Sequence, residues 1–507
     1  MRSRLLFAVS RAGVLMLATA LVSCMSAGPD FQAPDTPMPE SWTDGHGGSP
    51  SLLDEQMRSS NDSVSMLAGF DLFGDPALNA LQARALENNA DLRVALLRFA
   101  QSRVQRGMIA AGDQPTLMAN AAASRQRQSE TGSATRLISA ISPASQTQSL
   151  IDFISDPFAL YQAGFDASWE PDLWGRVQRS LEAADAQLNE AGAALDQVQL
   201  GLLSEVARGY FQLRGVQTQQ RLLRQDIARA DELLALLQTR AAAGLSTETE
   251  VLGQQIVLSD LKSREPALTE QEAQALNGLS YLLGDMPGSL QPLLAGQGDW
   301  TLGAMPDLAL GLPSDVAALR PDIRISEARL RQATARLGIA DADLYPRIML
   351  GAGLGLESLE SGEFAEWGSH QWSIGPRLSL PLFDQGRRRA TITLRELQEQ
   401  EAAIEYQRVV LNAWHEVDSA LSRYTAQRQR DAGLQDKLQH EQQTRELVQT
   451  RYSNGLLDYR QVLAADQRVA GVQRELAESD TQLALDLVGL FKSLGRAAPV
   501  QGSKTLP

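Results

Sequence analysis

The sequence predicts a mainly α-helical chain with a β-barrel portion, and three observations carry that prediction. Two stretches lying 211 positions apart superimpose without a gap. Each contains a proline-free stretch of 68 residues with helical apolar spacing, and each contains alternating segments of strand length. In the superposition Thr239-Arg240, Gly244-Leu245, Val251-Leu252, Gly278-Leu279 and Leu283-Gly284 fall on Thr450-Arg451, Gly455-Leu456, Val462-Leu463, Gly489-Leu490 and Leu494-Gly495. Gly175-Arg176 falls on Gly386-Arg387 in the same register. Further upstream the offset becomes 231, with Asp91, Gly107 and Pro115 on Asp322, Gly338 and Pro346, so the first copy carries 20 extra residues between Pro115 and Gly175. The chain reads as a two-copy internal repeat, each copy running helix, strand, variable loop, strand, very long helix, tight turn and long return helix.

The chain opens on a leader. Arg2, Arg4 and Arg11 precede an eleven-residue apolar run, Ala12 to Val22. That run is too short to span a bilayer, which takes about 20 residues, and suits a secretory signal over residues 1–23. It ends in Leu21-Val22-Ser23-Cys24, similar to a bacterial lipobox, in which cleavage before the cysteine is followed by lipid attachment. Cys24 is the single cysteine of the 507 residues, so no disulfide accounts for it. Loss of the three arginines takes the formal charge from −15 to −18, and an acidic chain lacks the basic face that nucleic acid requires. Residues 24–70 follow as an N-terminal tether and equatorial segment, rich in Pro, Gly and Ser over 25–50.

The first copy spans 71–284, with strands at about 115–128 and 158–173, a long helix at about 176–243 and a return helix at about 247–284. In the helix, Leu181, Leu188, Leu195 and Leu202 recur every seven residues, and the column continues through Val216, Leu223, Ala230 and Leu237. This is a coiled-coil seam, and no proline interrupts it between Pro171 and Pro266. At about 1.5 Å per residue the segment is roughly 100 Å long. Residues 285–313, rich in Gly and Pro, link the copies. The second copy spans 314–495, with strands at about 346–358 and 369–383, a long helix at about 387–454 and a return helix at about 458–494. Its long helix carries Leu397, Ile404, Leu411, Val417, Leu421 and Tyr424 on the apolar side. A tail, 496–507, completes the chain.

The strands are read from alternation. Trp372, Ile374, Pro376, Leu378, Leu380 and Leu382 alternate with Gln371, Ser373, Gly375, Arg377 and Ser379, and Tyr161, Ala163, Phe165, Ala167 and Trp169 with Gln162, Gly164, Asp166 and Ser168. Period-two patterning over about ten residues suits a tilted bilayer-crossing strand, and a soluble two-faced sheet gives the same pattern. Aromatic residues at the segment ends, among them Phe158, Trp174, Trp367 and Phe383, favour the membrane, since such barrels carry interfacial aromatic girdles.

The sequence carries no catalytic pattern. His46, His370, His415 and His440 are scattered, without metal-ligand spacing. Gly351-x-Gly353-x-Gly355 lies inside an alternating strand with no following helix, so its glycines keep one face small rather than cradle phosphate. Glu248 and Glu250 sit at a turn, as surface charges or gate residues. The chain is read as non-enzymatic, with no metal and no dissociable cofactor.

The tip segments Thr239-Arg240-x3-Gly244-Leu245 and Arg451-Tyr452-x-x-Gly455-Leu456, the strand exit Trp169-Glu170-Pro171-Asp172-Leu173-Trp174-Gly175-Arg176 and the lipobox together resemble the TolC/OprM outer-membrane efflux channels, in their NodT-like lipoprotein branch. The resemblance covers about Leu72 to Gly495. An open sheet edge cannot sit in lipid, so several chains must share a barrel: two would supply eight strands, three twelve. The resemblance implies three, giving a 12-stranded barrel above a periplasmic α-barrel with a small equatorial domain. It implies diacylglycerol and N-palmitoyl on Cys24, and as partners a periplasmic adaptor, an inner-membrane RND-type pump and outer-membrane lipid. The function implied is the passive exit duct of a tripartite efflux system. A type I-like secretion duct or a periplasmic coiled-coil adaptor or scaffold lipoprotein stands as the alternative.

The resemblance also places site residues. Gly244 and Gly455 sit where a helix reverses, a position that favours a left-handed residue. Leu245 and Leu456 then either project as docking knobs for the adaptor or staple the turn. In the gate, Tyr452 and Glu250 occupy the positions of a tyrosine–carboxylate bond between the tips. The family's arginine two residues after the second glycine falls on Leu457, and the acidic ring positions on Gln461 and Ala464. Asp458 becomes the acid nearest the constriction, and Arg451 is either its cationic partner or a solvated helix-end charge.

Overall fold

A computed structural model describes residues 26–34, 73–141, 143–294 and 319–495. Cys24, most of the 24–70 tether, the linker beyond Leu294 and the 496–507 tail lie outside these residues. The chain divides into two compact units, one built from 1–32, 102–188 and 330–402, the other from 33–101, 189–329 and 403–507.

In chain order the elements are α1 (Pro76–Asn88), α2 (Ala90–Ala110), β1 (Thr116–Gln126), α3 (Ser133–Ile141), α4 (Ala144–Ser155), β2 (Phe158–Trp169), α5 (Arg176–Ala242), α6 (Glu248–Leu282), α7 (Pro321–Ala342), β3 (Arg347–Ser358), β4 (His370–Ser379), α8 (Arg387–Ser453) and α9 (Tyr459–Ser493). No described helix is long and apolar enough to cross a membrane. The loop between the first two strands, read from sequence only as variable, contains α3 and α4.

The first unit is organised by an antiparallel sheet of order β1-β2-β3-β4, with β1 and β4 as its edges. Its register sorts the side chains by polarity across all four strands. Ala119 pairs with Phe165, Phe165 with Leu354 and Leu354 with Trp372. One step along, Asn120 pairs with Gly164, Gly164 with Gly355 and Gly355 with Gln371. Because successive side chains point to opposite faces, one face is mainly apolar and the other mainly polar or bare, with Met118 and Met349 as exceptions. Within the single chain the apolar face is uncovered, with Leu117, Phe165, Leu354, Trp372, Ile374 and Leu378 exposed.

Two strands end earlier than their alternation. β2 stops at Trp169 rather than 173, because Pro171 has no N–H for the ladder and the segment serves the next helix instead. Glu170 accepts two bonds from Arg176, at 2.8 and 3.0 Å, Asp172 accepts from the Gln178 N–H at 2.7 Å, and Gly175 turns the chain at φ +75°. β4 stops at Ser379 rather than 383 because its partner β3 begins at Arg347, opposite Ser379, and the chain beyond leads into the next helix, where Asp384 accepts from the N–H groups of Gly386 and Arg388.

Residues 26–32 form a strap on this unit. Its Ala27 N–H donates to the Trp174 carbonyl at 3.0 Å, and the buried Arg179 donates to the carbonyls of Ala27 and Gly28 and to Asp30. Gly28, at φ +82°, lies so close to Gly338 that an added Cβ would meet its Cα at 2.5 Å. The Arg331 guanidinium covers the Phe31 ring at 4.8 Å.

The second unit holds the main apolar core. Leu78, Val206, Phe211, Leu279, Leu487 and Phe491 are fully or nearly fully buried, and Phe73 packs on Phe211 at 4.6 Å and on Phe491 at 6.1 Å between ring centres. Residues matched by the two sequence offsets make matching contacts here. Asn89 Nδ2 donates to the Leu282 carbonyl at 2.9 Å, and Arg320 Nη1 donates to the Ser493 carbonyl at 2.6 Å. Gly284 and Gly495 follow at φ +70° and +72°. The second long helix departs from its simple apolar stripe. Val417, Leu421 and Tyr424 are buried, whereas Leu397, Ile404 and Leu411 are exposed because no described element covers that face.

Candidate functional site

The helix reversals after α5 and α8 have the same local geometry. Gly244 and Gly455 take φ +71° and +72°. The Leu245 N–H donates to the Arg240 carbonyl at 2.8 Å and the Gly244 N–H to the Ala241 carbonyl at 2.9 Å. In the second tip Leu456 donates to Arg451 and Gly455 to Tyr452, each at 2.9 Å. These are paired Schellman closures, which satisfy carbonyls the helix end would otherwise leave open. Such closures are commonly stapled by an apolar contact from the residue after the glycine back to the last turn. Here that turn offers Arg240 or Arg451, and Leu245 and Leu456 stay 69 % and 71 % exposed. Of the two roles open to these leucines, the single chain adopts the projecting one.

The return helices start on side-chain caps. Thr247 accepts from the Glu250 N–H while Glu250 accepts from the Thr247 N–H at 3.0 Å, a reciprocal capping box. Asp458 caps α9 by accepting from the Arg460 N–H. The Thr247 N–H, with Arg460 close by, holds the Glu250 carboxyl below the usual range. The backbone N–H and side chain of Arg460 do the same for Asp458.

Arg460, which sequence reasoning did not single out, links the two tips. Its guanidinium lies 2.9 Å from Asp458 and 3.8 Å from Glu250. Tyr452 packs its ring on Tyr459 at 5.3 Å, and among the described hydrogen bonds none joins it to Glu250. In the single chain Glu250 and Asp458 thus share Arg460 as their nearest cation, and the Tyr452 ring faces Tyr459. Asp458 takes Arg460 as its partner, with Arg240 as a further nearby cation, and Arg451 stands as a helix-end charge. The available signal was Arg460 itself, a cation two residues past a capping acid and in the same turn region where the family's arginine is missing.

Cys24 lies outside the described residues, but Ser26, two positions on, is seated against the strand exit. A Cβ on Gly175 would come within 2.9 Å of the Ser26 Cα. The same junction is braced by the Trp174 indole, which donates to the Pro346 carbonyl at 2.8 Å and stacks on Tyr345 at 4.9 Å. Among the described residues no group of three or more His, Cys, Asp or Glu side chains is placed to hold a metal.

Comparison with known proteins supplies the frame for these features. The family model described as outer membrane efflux protein matches residues 81–285 and 312–496. The solvent efflux pump outer membrane protein SrpC of Pseudomonas putida is 30 % identical over 95 % of this chain and 97 % of its own length. The probable outer membrane lipoprotein SilC of Salmonella typhimurium is 25 % identical over 94 % of this chain and 96 % of its own. Among solved structures, the outer-membrane channel OprN superimposes with a TM-score of 0.78 and 28 % identity, covering 93 % of this chain and 99 % of that one. With both copies matched and the fold shared along nearly the whole length, the chain belongs to the outer membrane efflux protein family.

Proposed function

We propose that three copies of this chain form the passive exit duct of a tripartite, RND-type efflux system, carrying small molecules through periplasm and outer membrane. The sheet is the observation that carries this reading: one face is mainly apolar, the other mainly polar or bare, and among the described residues neither edge strand has an outer partner. Open edges are not tolerated in hydrocarbon, so β4 of one chain pairs with β1 of the next, and three chains close a barrel of twelve strands. The exposed Leu397, Ile404 and Leu411 on α8 fit the same assembly, as a stripe covered by a neighbouring chain in a periplasmic α-barrel. Each chain contributes two copies of one ancestral unit, with segments 24–70 and 285–313 supplying the small equatorial domain. A soluble adaptor or scaffold has no use for such a sheet.

In this reading Leu245 and Leu456 dock the hairpin of a periplasmic adaptor, and the Glu250–Arg460–Asp458 bridge holds the resting tips together. Cys24 carries diacylglycerol and N-palmitoyl groups. The seat of Ser26 against the strand–helix junction at Gly175 is consistent with an anchor near the sheet. The likeness to SilC agrees with a lipoprotein. Purified protein reconstituted in planar bilayers tests the duct: stepwise conductance from trimers is expected, and monomers that leave the bilayer silent would overturn the reading. Cys24→Ser is expected to abolish palmitate labelling.

A further inference from the structure

The polar face of the sheet contains a recess of about 330 Å³, lined by Asn120, Gln162, Asp166, Gly353, Gln371 and Ser373. Its floor is the bare backbone of Gly353. A Cβ built there would lie 3.2 Å from Asp166 Oδ1 and 3.2 Å from Ser373 Oγ, so side chains from strands on either side converge over one point. The carboxylate is fixed from its other end: Asn120 Nδ2 donates to Asp166 Oδ2 at 2.6 Å. Among the described hydrogen bonds, Asp166 Oδ1 and Ser373 Oγ make none. Further along the face, Glu357 is engaged by Gln162 Nε2 at 2.7 Å. The cation on β4, Arg377, stands four residues from Ser373, roughly 13 Å away at strand rise, too far to neutralise Asp166 by contact.

We propose that this recess binds a primary ammonium group, making it a station for amine-bearing cargo inside the barrel. The proposal rests on the reading of this face as the lumen. The donor set selects the ligand. An ammonium brings three N–H donors, which Asp166 Oδ1, Ser373 Oγ and a side-chain amide oxygen at the rim can accept. A guanidinium is recognised best by both oxygens of one carboxylate, and here Asn120 occupies one of them. A divalent metal needs more anionic oxygen than one carboxylate among neutral groups supplies. The missing side chain at 353 keeps the point accessible, and three symmetric copies would ring the lumen.

The test uses full-length trimers in planar bilayers with 1,6-diaminohexane as the probe and hexamethonium, of equal charge but without N–H donors, as its control. The diamine is expected to block current well below the concentration at which hexamethonium does. Half-block should move up by about tenfold or more in Asp166→Asn, in line with loss of a charge-assisted hydrogen bond, and likewise in Gly353→Ala, which fills the floor without changing charge. Glu357→Gln should block like the parent. Equal block by hexamethonium, or unchanged block in Asp166→Asn, overturns the proposal. If the parent does not conduct, the duct reading fails, and calorimetric titration of detergent-solubilised parent and Asp166→Asn with the diamine decides the recess separately. Heat lost in the variant sustains the site, and no binding by the parent removes it.

Discussion

Asp480→Asn should stabilise the protein at neutral pH and leave it unchanged in acid. Asp480, on α9, is half-buried beside the buried Asp431, whose own oxygens are taken by the Ser479 hydroxyl and the Gln435 amide, each at 2.8 Å. Burial first, and then the neighbouring Asp431, push the Asp480 carboxyl from an ordinary 3.8 up to about 6. Since the folded value lies above the unfolded one, this group favours the folded state fully below about pH 3.8, and that contribution is lost as pH rises through about 6. At about 1.36 kcal/mol per pH unit the rise corresponds to about 3 kcal/mol, and water reaching part of the carboxyl reduces this to about 1–3 kcal/mol. Asparagine keeps the shape and removes the ionisation. Thermal melting followed by circular dichroism in detergent should show Asp480→Asn melting higher than the parent at pH 7.5 and with it at pH 4. A variant that melts lower at pH 7.5, or one offset equally at both pH values, would refute the reasoning.

Three further outcomes are expected. Arg460→Ala removes the bridge between Glu250 and Asp458, so resting conductance and sensitivity of cells to vancomycin should rise more than with Tyr452→Phe; because both carboxyls titrate below their usual range, the bridge in the parent should persist in mild acid and open as pH falls further. Gly455→Val forces a side chain onto φ +72°, a strain of roughly 1–2 kcal/mol with no neighbour within 4 Å to clash against. Drug resistance should therefore fall while trimer still reaches the outer membrane, and unchanged efflux with unchanged adaptor cross-linking would contradict a docking role. Arg320→Met removes a buried guanidinium bonded at 2.6 Å to Asp322, Glu416 and the Ser493 carbonyl; with both carboxylates partly in water it should cost about 1–3 kcal/mol, read as lost protease resistance.

What the sequence disclosed follows its local patterns. The long helices were legible because heptad spacing and freedom from proline persist over tens of residues, and the polarity of the sheet because period-two alternation is a property of each strand alone. Strand ends were read too long at 170–173 and 380–383, where alternation continues but Pro171, Asp172 and Asp384 commit the backbone to starting a helix. The exposure of Leu397, Ile404 and Leu411 was hidden, since heptad spacing marks an apolar face without saying which chain covers it. The link between the tips was missed for a related reason. Glu250 and Arg460 are 210 positions apart, and the docking of two hairpins leaves no periodic trace.

The core around Phe73, Phe211 and Phe491 belongs to neither copy alone. Its last large members, Leu487, Leu490, Phe491 and Leu494, arrive with α9, so the hydrophobic centre has no complete form until that helix has been exported. A chain destined for another membrane benefits from such lateness. Through most of its passage the chain lacks part of that core, and it cannot collapse into a finished domain until the final helix supplies it.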